Sequence, residues 1–198
     1  MGNVIVHLIR HEKTEANRSK KYLGWTDESI IAKESVFKVP IKPAIVHGSD
    51  LKRCRETAML YFPQASFLAD PNLREINFGE YELRTYEELK NLTTYREWID
   101  QPEIVTPPNG EEFLQFKERV AVSFQQIVSK SGEYTFIVHG GVIRALISLF
   151  GPNAQSFREI AVSHRCVYSL FWSDIAKRKE GARCELLSEA PIMEKENM

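Results

Sequence analysis

Residues 4–9 (Val-Ile-Val-His-Leu-Ile) make a short, nearly continuous apolar run that ends in Arg10-His11. Such a run suits a strand covered on both faces, as in a parallel sheet flanked by helices. The pattern recurs at residues 134–138, a second buried run with His139-Gly140-Gly141 at its tip and a strongly apolar helical segment after it. Two places thus repeat one pattern, a buried strand with a histidine at its carboxyl tip. In open α/β sheets ligands gather at the carboxyl ends of the strands.

The rest of the chain agrees with that frame. Residues 44–46 read as a third short strand, followed by a helix over 51–62 with Ser49 or Asp50 as its cap and Pro63 as its stop. Residues 12–27 and 72–83 read as loops, 28–37 as a weak helix, and 86–99 as helical, in one piece or two. The clearest helix covers about 110–130, where Phe113, Phe116, Val120, Phe124 and Ile127 recur at three- and four-residue spacing. Asn109 with Glu112 offers a capping-box-like start and Gly132 a terminator. Residues 167–172 and 184–187 are expected as late strands. Alternating strands and helices imply an α/β sandwich with a mainly parallel sheet. At 198 residues this suits one domain over 1–198, with a loosely held tail over 189–198.

Position then suggests chemistry. Arg53 falls in the first turn or so of the helix after the third strand, so Arg10 and Arg53 can face one anion. Guanidinium suits phosphate because it donates two parallel hydrogen bonds. Gly140 and Gly141 allow close backbone approach where a helix N-terminus offers unpaired N–H groups. A formal net charge of −1 argues against a general polyanion surface and hence against nucleic acid as partner. Three scattered cysteines suggest neither a disulfide framework nor a metal site. No apolar run reaches membrane-spanning length, and no secretory signal is evident, so a cytoplasmic protein with no membrane partner is expected.

Several blocks carry a resemblance. Residues 10–17 (Arg-His-Glu-Lys-Thr-Glu-Ala-Asn) look like the R-H-G-[EQ]-[ST]-x-x-N signature of the histidine phosphatase superfamily, which includes the cofactor-dependent phosphoglycerate mutases. Residues 22–27 resemble its F-x-G-W-x-D, 49–58 its S-x-L-x-R-A-x-x-T-A, and 73–82 its L-x-E-x-x-F-G-x-W-E. Residues 138–144 are similar to S-H-G-G-x-x-R, and Pro107-Pro108-Asn109-Gly110-Glu111 echoes P-P-G-G-E. The blocks follow the family's order from Val4 to about Leu149. The resemblance implies a three-layer α/β/α sandwich of the phosphoglycerate mutase-like kind. It also implies a metal-independent phosphatase without a cofactor. His11 would become phosphohistidine, Arg10, Arg53 and His139 would hold the phosphoryl oxygens, and Glu75 would serve as general acid, then base. Asn17, Gly24 and Gly140 would complete the phosphate cradle.

Departures cluster at the pocket mouth. Glu12 and Lys13 replace the family's usual Gly and acidic or amide residue, and both are expected to point to solvent. Leu83 stands where a Gly is frequent, and the segment after Asp27 is short. Bacterial family members of this length include α-ribazole phosphatase-like and broad-specificity phosphatases, so a phosphomonoesterase acting on a small phosphorylated metabolite is expected. The alternatives are phosphoglycerate mutase-type transfer, for which the chain has little room, and a non-catalytic phospholigand-binding module. A monomer or homodimer is consistent with the sequence. His7, His47 and His164 read as structural, although His47 could also line the pocket. Lys177-Arg178-Lys179 reads as a solvated turn.

Overall fold

A computed structural model describes residues 2–31 and 36–195. Strand β1 is Val4–Arg10, β2 Phe37–Lys38, β3 Ile45–Gly48, β4 Ser66–Ala69 and β5 Gly132–Val138; β6 is Cys166–Trp172, β7 Leu186–Pro191 and β8 Met193–Glu194. The helices are α1 Glu15–Arg18, α2 Lys52–Tyr61, α3 Tyr86–Leu89, α4 Thr93–Asp100, α5 Phe113–Ile127, α6 Gly140–Phe150 and α7 Ile175–Lys179. The main sheet runs β4-β3-β5-β1-β6-β7. Neighbours from β4 to β1 pair in parallel, and β6 is antiparallel to both β1 and β7. β6 is therefore the one reversed strand of this mainly parallel sheet, flanked by helices on both faces as expected.

Side-chain alternation along the central strands builds the layers. Val4, Val6 and Leu8 of β1, with Phe136 and Val138 of β5, pack on α5 and α6. Ile9, Val46, Ile137 and Val167 face the other way, onto Cys54, Ala58 and Tyr61 of α2. The phenylalanine stripe of α5 is core, as its spacing requires. A third cluster, Tyr81, Leu89, Tyr95 and Trp98, is built on α3 and α4 and packs against Tyr22 and Phe78, beside the strand ends that carry the histidines.

Local differences from the sequence reading have physical causes. The weak helix expected over 28–37 is not formed in its described part: Ile30 bridges Thr14, and Phe37 lies in a strand paired with β8. Residues 32–35 lie outside the described residues. Helix α5 starts at Phe113 with Glu112 as its cap residue but no side-chain cap bond, and Gly132 (φ 146°) opens β5 instead of ending a helix. Strand pairing extends through Glu194, so residues 189–194 are not a loose tail; 196–198 are outside the described residues. Arg178 is buried over the Phe124 ring, 5.5 Å from its centroid, and so is no solvated turn residue. Leu83 occupies positive φ (58°), the conformation a glycine there would take without steric cost.

Candidate active site

The β1/β5 ladder continues one residue past its last pair: the His11 N–H donates to the Val138 carbonyl (2.9 Å). This sets His11 beside His139, the cap residue of α6, with ring centroids 5.1 Å apart. His11 Nδ1 lies 2.7 Å from the Glu12 carbonyl. A carbonyl only accepts, so Nδ1 carries the proton and Nε2 holds the lone pair. Burial and the charges of Arg53 and Arg10 hold His11 well below the ordinary histidine range. The ring is therefore neutral and nucleophilic at ordinary pH.

Arg53, fully buried on α2, reaches across to this pair. Its Nε donates to His139 Nδ1 (3.2 Å), which leaves the His139 proton on Nε2. Among the described residues that N–H meets the Cys54 sulfur (3.6 Å), a weak acceptor. Burial, then Arg53 and His11, also hold His139 well below its ordinary range, whereas burial pushes the Cys54 thiol up to about 12. Arg53 Nη1 and Nη2 donate to the carbonyls of Thr26 (2.7 Å) and Gly24 (2.6 Å). Gly24, expected at the phosphate, thus serves to hold Arg53. A Cβ there would meet the Ile76 carbonyl at 2.2 Å, which explains the glycine. The loop is secured by Glu82, whose carboxylate accepts from the N–H groups of Gly24, Trp25, Thr26 and Phe78.

Arg10, Asn17, Glu75 and Gly140 line one cavity of about 530 Å³, which Arg10 and Gly140 place next in sequence to His11 and His139. Arg10 donates from Nη1 to the Val162 carbonyl (3.3 Å), while its Nε is buried without an acceptor. Gly140 lets Arg10 lie close, since an added Cβ would sit 3.3 Å from Cζ. Asn17 closes a capping box with Thr14 at α1 and so faces the cavity from a fixed position. The Glu75 carboxylate accepts from the N–H groups of Gly141 (2.7 Å) and Ile76 (3.0 Å), which places an acid at the N-terminus of α6.

Three features escaped sequence reasoning. Glu12 points neither to solvent nor to the anion: it is buried, accepts from the Tyr61 hydroxyl, and pairs with Arg165 Nε at 3.0 Å. Lys13, by contrast, is exposed as expected. His164, read as remote from catalysis, lies 5.9 Å from the His11 ring and donates Nδ1–H to the His11 carbonyl (2.8 Å). Burial and Arg10 pull its pKa down to about 4. Arg119 of α5 is bidentate on Glu111 and also donates to the carbonyls of Asn72, Arg74 and Glu75, clamping the backbone that carries the acid. The Pro-Pro-Asn-Gly-Glu block pointed to Glu111, but nothing local pointed to its partner. His47 packs on the Phe136 ring, away from this cavity, and His7 bonds Ser169 and Glu133 within the sheet. Among the described residues no group of three or more His, Cys, Asp or Glu could hold a metal ion, and no helix is long and apolar enough to cross a membrane.

Paired histidines among arginines at the carboxyl ends of parallel strands define an α/β protein built to handle phosphoryl groups. Comparison with known proteins narrows that class. A profile of the histidine phosphatase superfamily (branch 1) matches residues 6–182, and the chain belongs to that family. It is 26% identical to the adenosylcobalamin/α-ribazole phosphatase of Escherichia coli, over 93% of this chain and 96% of that protein. It is 28% identical to a metal-independent phosphoserine phosphatase of Arabidopsis thaliana, over 70% of this chain and 65% of the other. Among solved structures, the α-ribazole phosphatase of Shigella flexneri superposes with a TM-score of 0.70 at 26% identity, covering 84% of this chain and 89% of its own.

Proposed function

We propose that this chain, acting as one domain, hydrolyses monoesters of small phosphorylated metabolites by passing the phosphoryl group through His11 Nε2. Its family and relatives support the reading, since they include an adenosylcobalamin/α-ribazole phosphatase and a metal-independent phosphoserine phosphatase. The observation that carries the assignment to His11 is its Nδ1–H bond to the Glu12 carbonyl, which leaves a bare Nε2 between two guanidinium groups. In the first step Nε2 attacks phosphorus in line, the P–O ester bond breaks, and the leaving oxygen takes a proton from Glu75. In the second, water gives a proton to Glu75 and attacks phosphorus, and the P–N bond breaks to release phosphate. Arg10, with its unused Nε–H, Arg53 and the Nε2–H of His139 neutralise charge on the phosphoryl oxygens. Asn17 and Gly140 border the same space.

Phosphate release from phenyl phosphate in the presence of a chelator tests the reading. His11→Ala should lower kcat/KM by about a thousandfold or more. A rapidly quenched turnover should show acid-labile, base-stable phosphate on His11. Turnover confined to phosphoglycerate with a bisphosphate primer would point to a mutase instead. Phosphate binding without turnover of any monoester would point to a binding module.

A further inference from the structure

The cavity lined by Arg10, Glu75 and Gly140 has about 530 Å³, far more than a phosphoryl group requires, and its walls differ in chemistry. Tyr22, Phe78, Trp98, Phe113 and Phe157 supply aromatic surface, with α4 as one wall. Lys21, Arg144 and Arg158 also line it, and none of these cations forms an ion pair among the described residues. Glu75 is the one acid on the wall, and the hydrolytic steps already use it. Arg144, one turn into α6, has its Nε buried with no acceptor, while its guanidinium lies over the Phe157 ring at 5.9 Å. Arg158 donates only to the backbone carbonyls of Ile99 and Asp100.

From this we infer that the natural substrate is a monoester whose organic part is a flat aromatic group bearing a second negative charge, with the ring against the α4 wall and the charge on Arg144. The inference rests on the phosphatase reading and names the substrate class for the same site. An aromatic wall favours a ring through area and edge-to-face contact, and it disfavours a polyol, whose hydroxyls would lose water without gaining partners. A buried guanidinium N–H without an acceptor is satisfied by an anion and by little else on offer in such a cavity. Lys21 and Arg158 at the rim add a positive field that draws a doubly charged ester inward.

Four alkyl phosphates of related leaving groups test this: benzyl phosphate, 4-carboxybenzyl phosphate, its methyl ester, and glycerol phosphate. The carboxylate should exceed its ester in kcat/KM by about tenfold, mainly through KM, and benzyl phosphate should exceed glycerol phosphate by about the same factor. Arg144→Gln should bring the acid-to-ester ratio close to one. Equal use of acid and ester by the unmodified enzyme, or a preference for glycerol phosphate, would overturn the inference while leaving the phosphatase reading intact. An equal loss on all four esters in Arg144→Gln would overturn it too, because Arg144 would then serve the phosphoryl group. If no ester is hydrolysed, the phosphatase reading fails separately. Calorimetric binding of 4-carboxybenzyl phosphonate against benzyl phosphonate then decides the inference: tighter binding of the former supports it, and equal binding refutes it.

Discussion

Replacing Arg165 by Ala should damage this protein far more than a half-exposed arginine normally would. The Glu12 carboxylate shows 2% of its side-chain surface and draws on two donors, Arg165 Nε at 3.0 Å and the Tyr61 hydroxyl. Arg165 itself is 37% exposed, so its charge is already well solvated. Removing one partner of a buried pair costs about 3–5 kcal/mol because the other charge is stranded, and partial access to water here should bring that to about 2–3 kcal/mol. Glu12→Ala should cost less, about 1 kcal/mol, since Arg165 keeps Glu194 at 2.5 Å and the Phe37 ring at 4.8 Å. The double variant should then resemble Glu12→Ala, giving a coupling of about 2–3 kcal/mol. Urea unfolding followed by circular dichroism measures all three. A loss in Arg165→Ala within about 0.5 kcal/mol, the range of ordinary surface changes, would refute the claim that buried Glu12 depends on Arg165.

Other perturbations follow from the same geometry. All five histidines have pKa values held below the ordinary histidine value, so the unfolded chain binds more protons as pH falls through about 6.5. Histidine-linked stability is therefore fully present above that pH and declines toward pH 4, where His164 titrates in the folded protein; urea midpoints that hold level from pH 7.5 to 5 would contradict this. Gly141→Ala places a Cβ 2.1 Å from Glu75 Oε1, so the acid must move. Its kcat should fall by about ten- to a hundredfold on alkyl phosphates and much less on aryl ones. Leu83→Gly should raise stability by about 0.5–1 kcal/mol through relief of its positive φ, because the side chain is 41% exposed and gives up little packing; a lower denaturation midpoint would show that those contacts matter more.

The two central strands and their histidines were legible because the signal is local: an apolar run, its length, and what stands at its tip. The capping boxes at Thr14 with Asn17 and Thr85 with Glu88 were equally local, and attention to spacing would have found them. Glu12 was not legible. A charged residue after a strand looks solvated until its partners are known, and these lie 49 and 153 positions away, at Tyr61 and Arg165. His164 is the same kind of case, since its bond to the His11 carbonyl also spans 153 positions. The block around Gly24 resembles the family's and so implies a place at the phosphate, whereas its carbonyl accepts from Arg53 Nη2. Strand β4 carries few buried side chains, so the edge of the sheet left no strong apolar pattern to detect.

The position of β1 also bears on how the molecule comes into being. Strand β1 lies in the middle of the sheet, with Val4 paired to Gly132 on one side and to Trp172, 168 positions later, on the other. During translation it must wait, apolar on both faces, until the far later segments that form β5 and β6 have emerged. Non-local pairing of this kind slows folding and leaves strand edges exposed to aggregation. The residue expected to carry the phosphoryl group is thus made long before Val138, whose carbonyl holds its backbone, and a nascent chain that stops short of β5 lacks that support for His11.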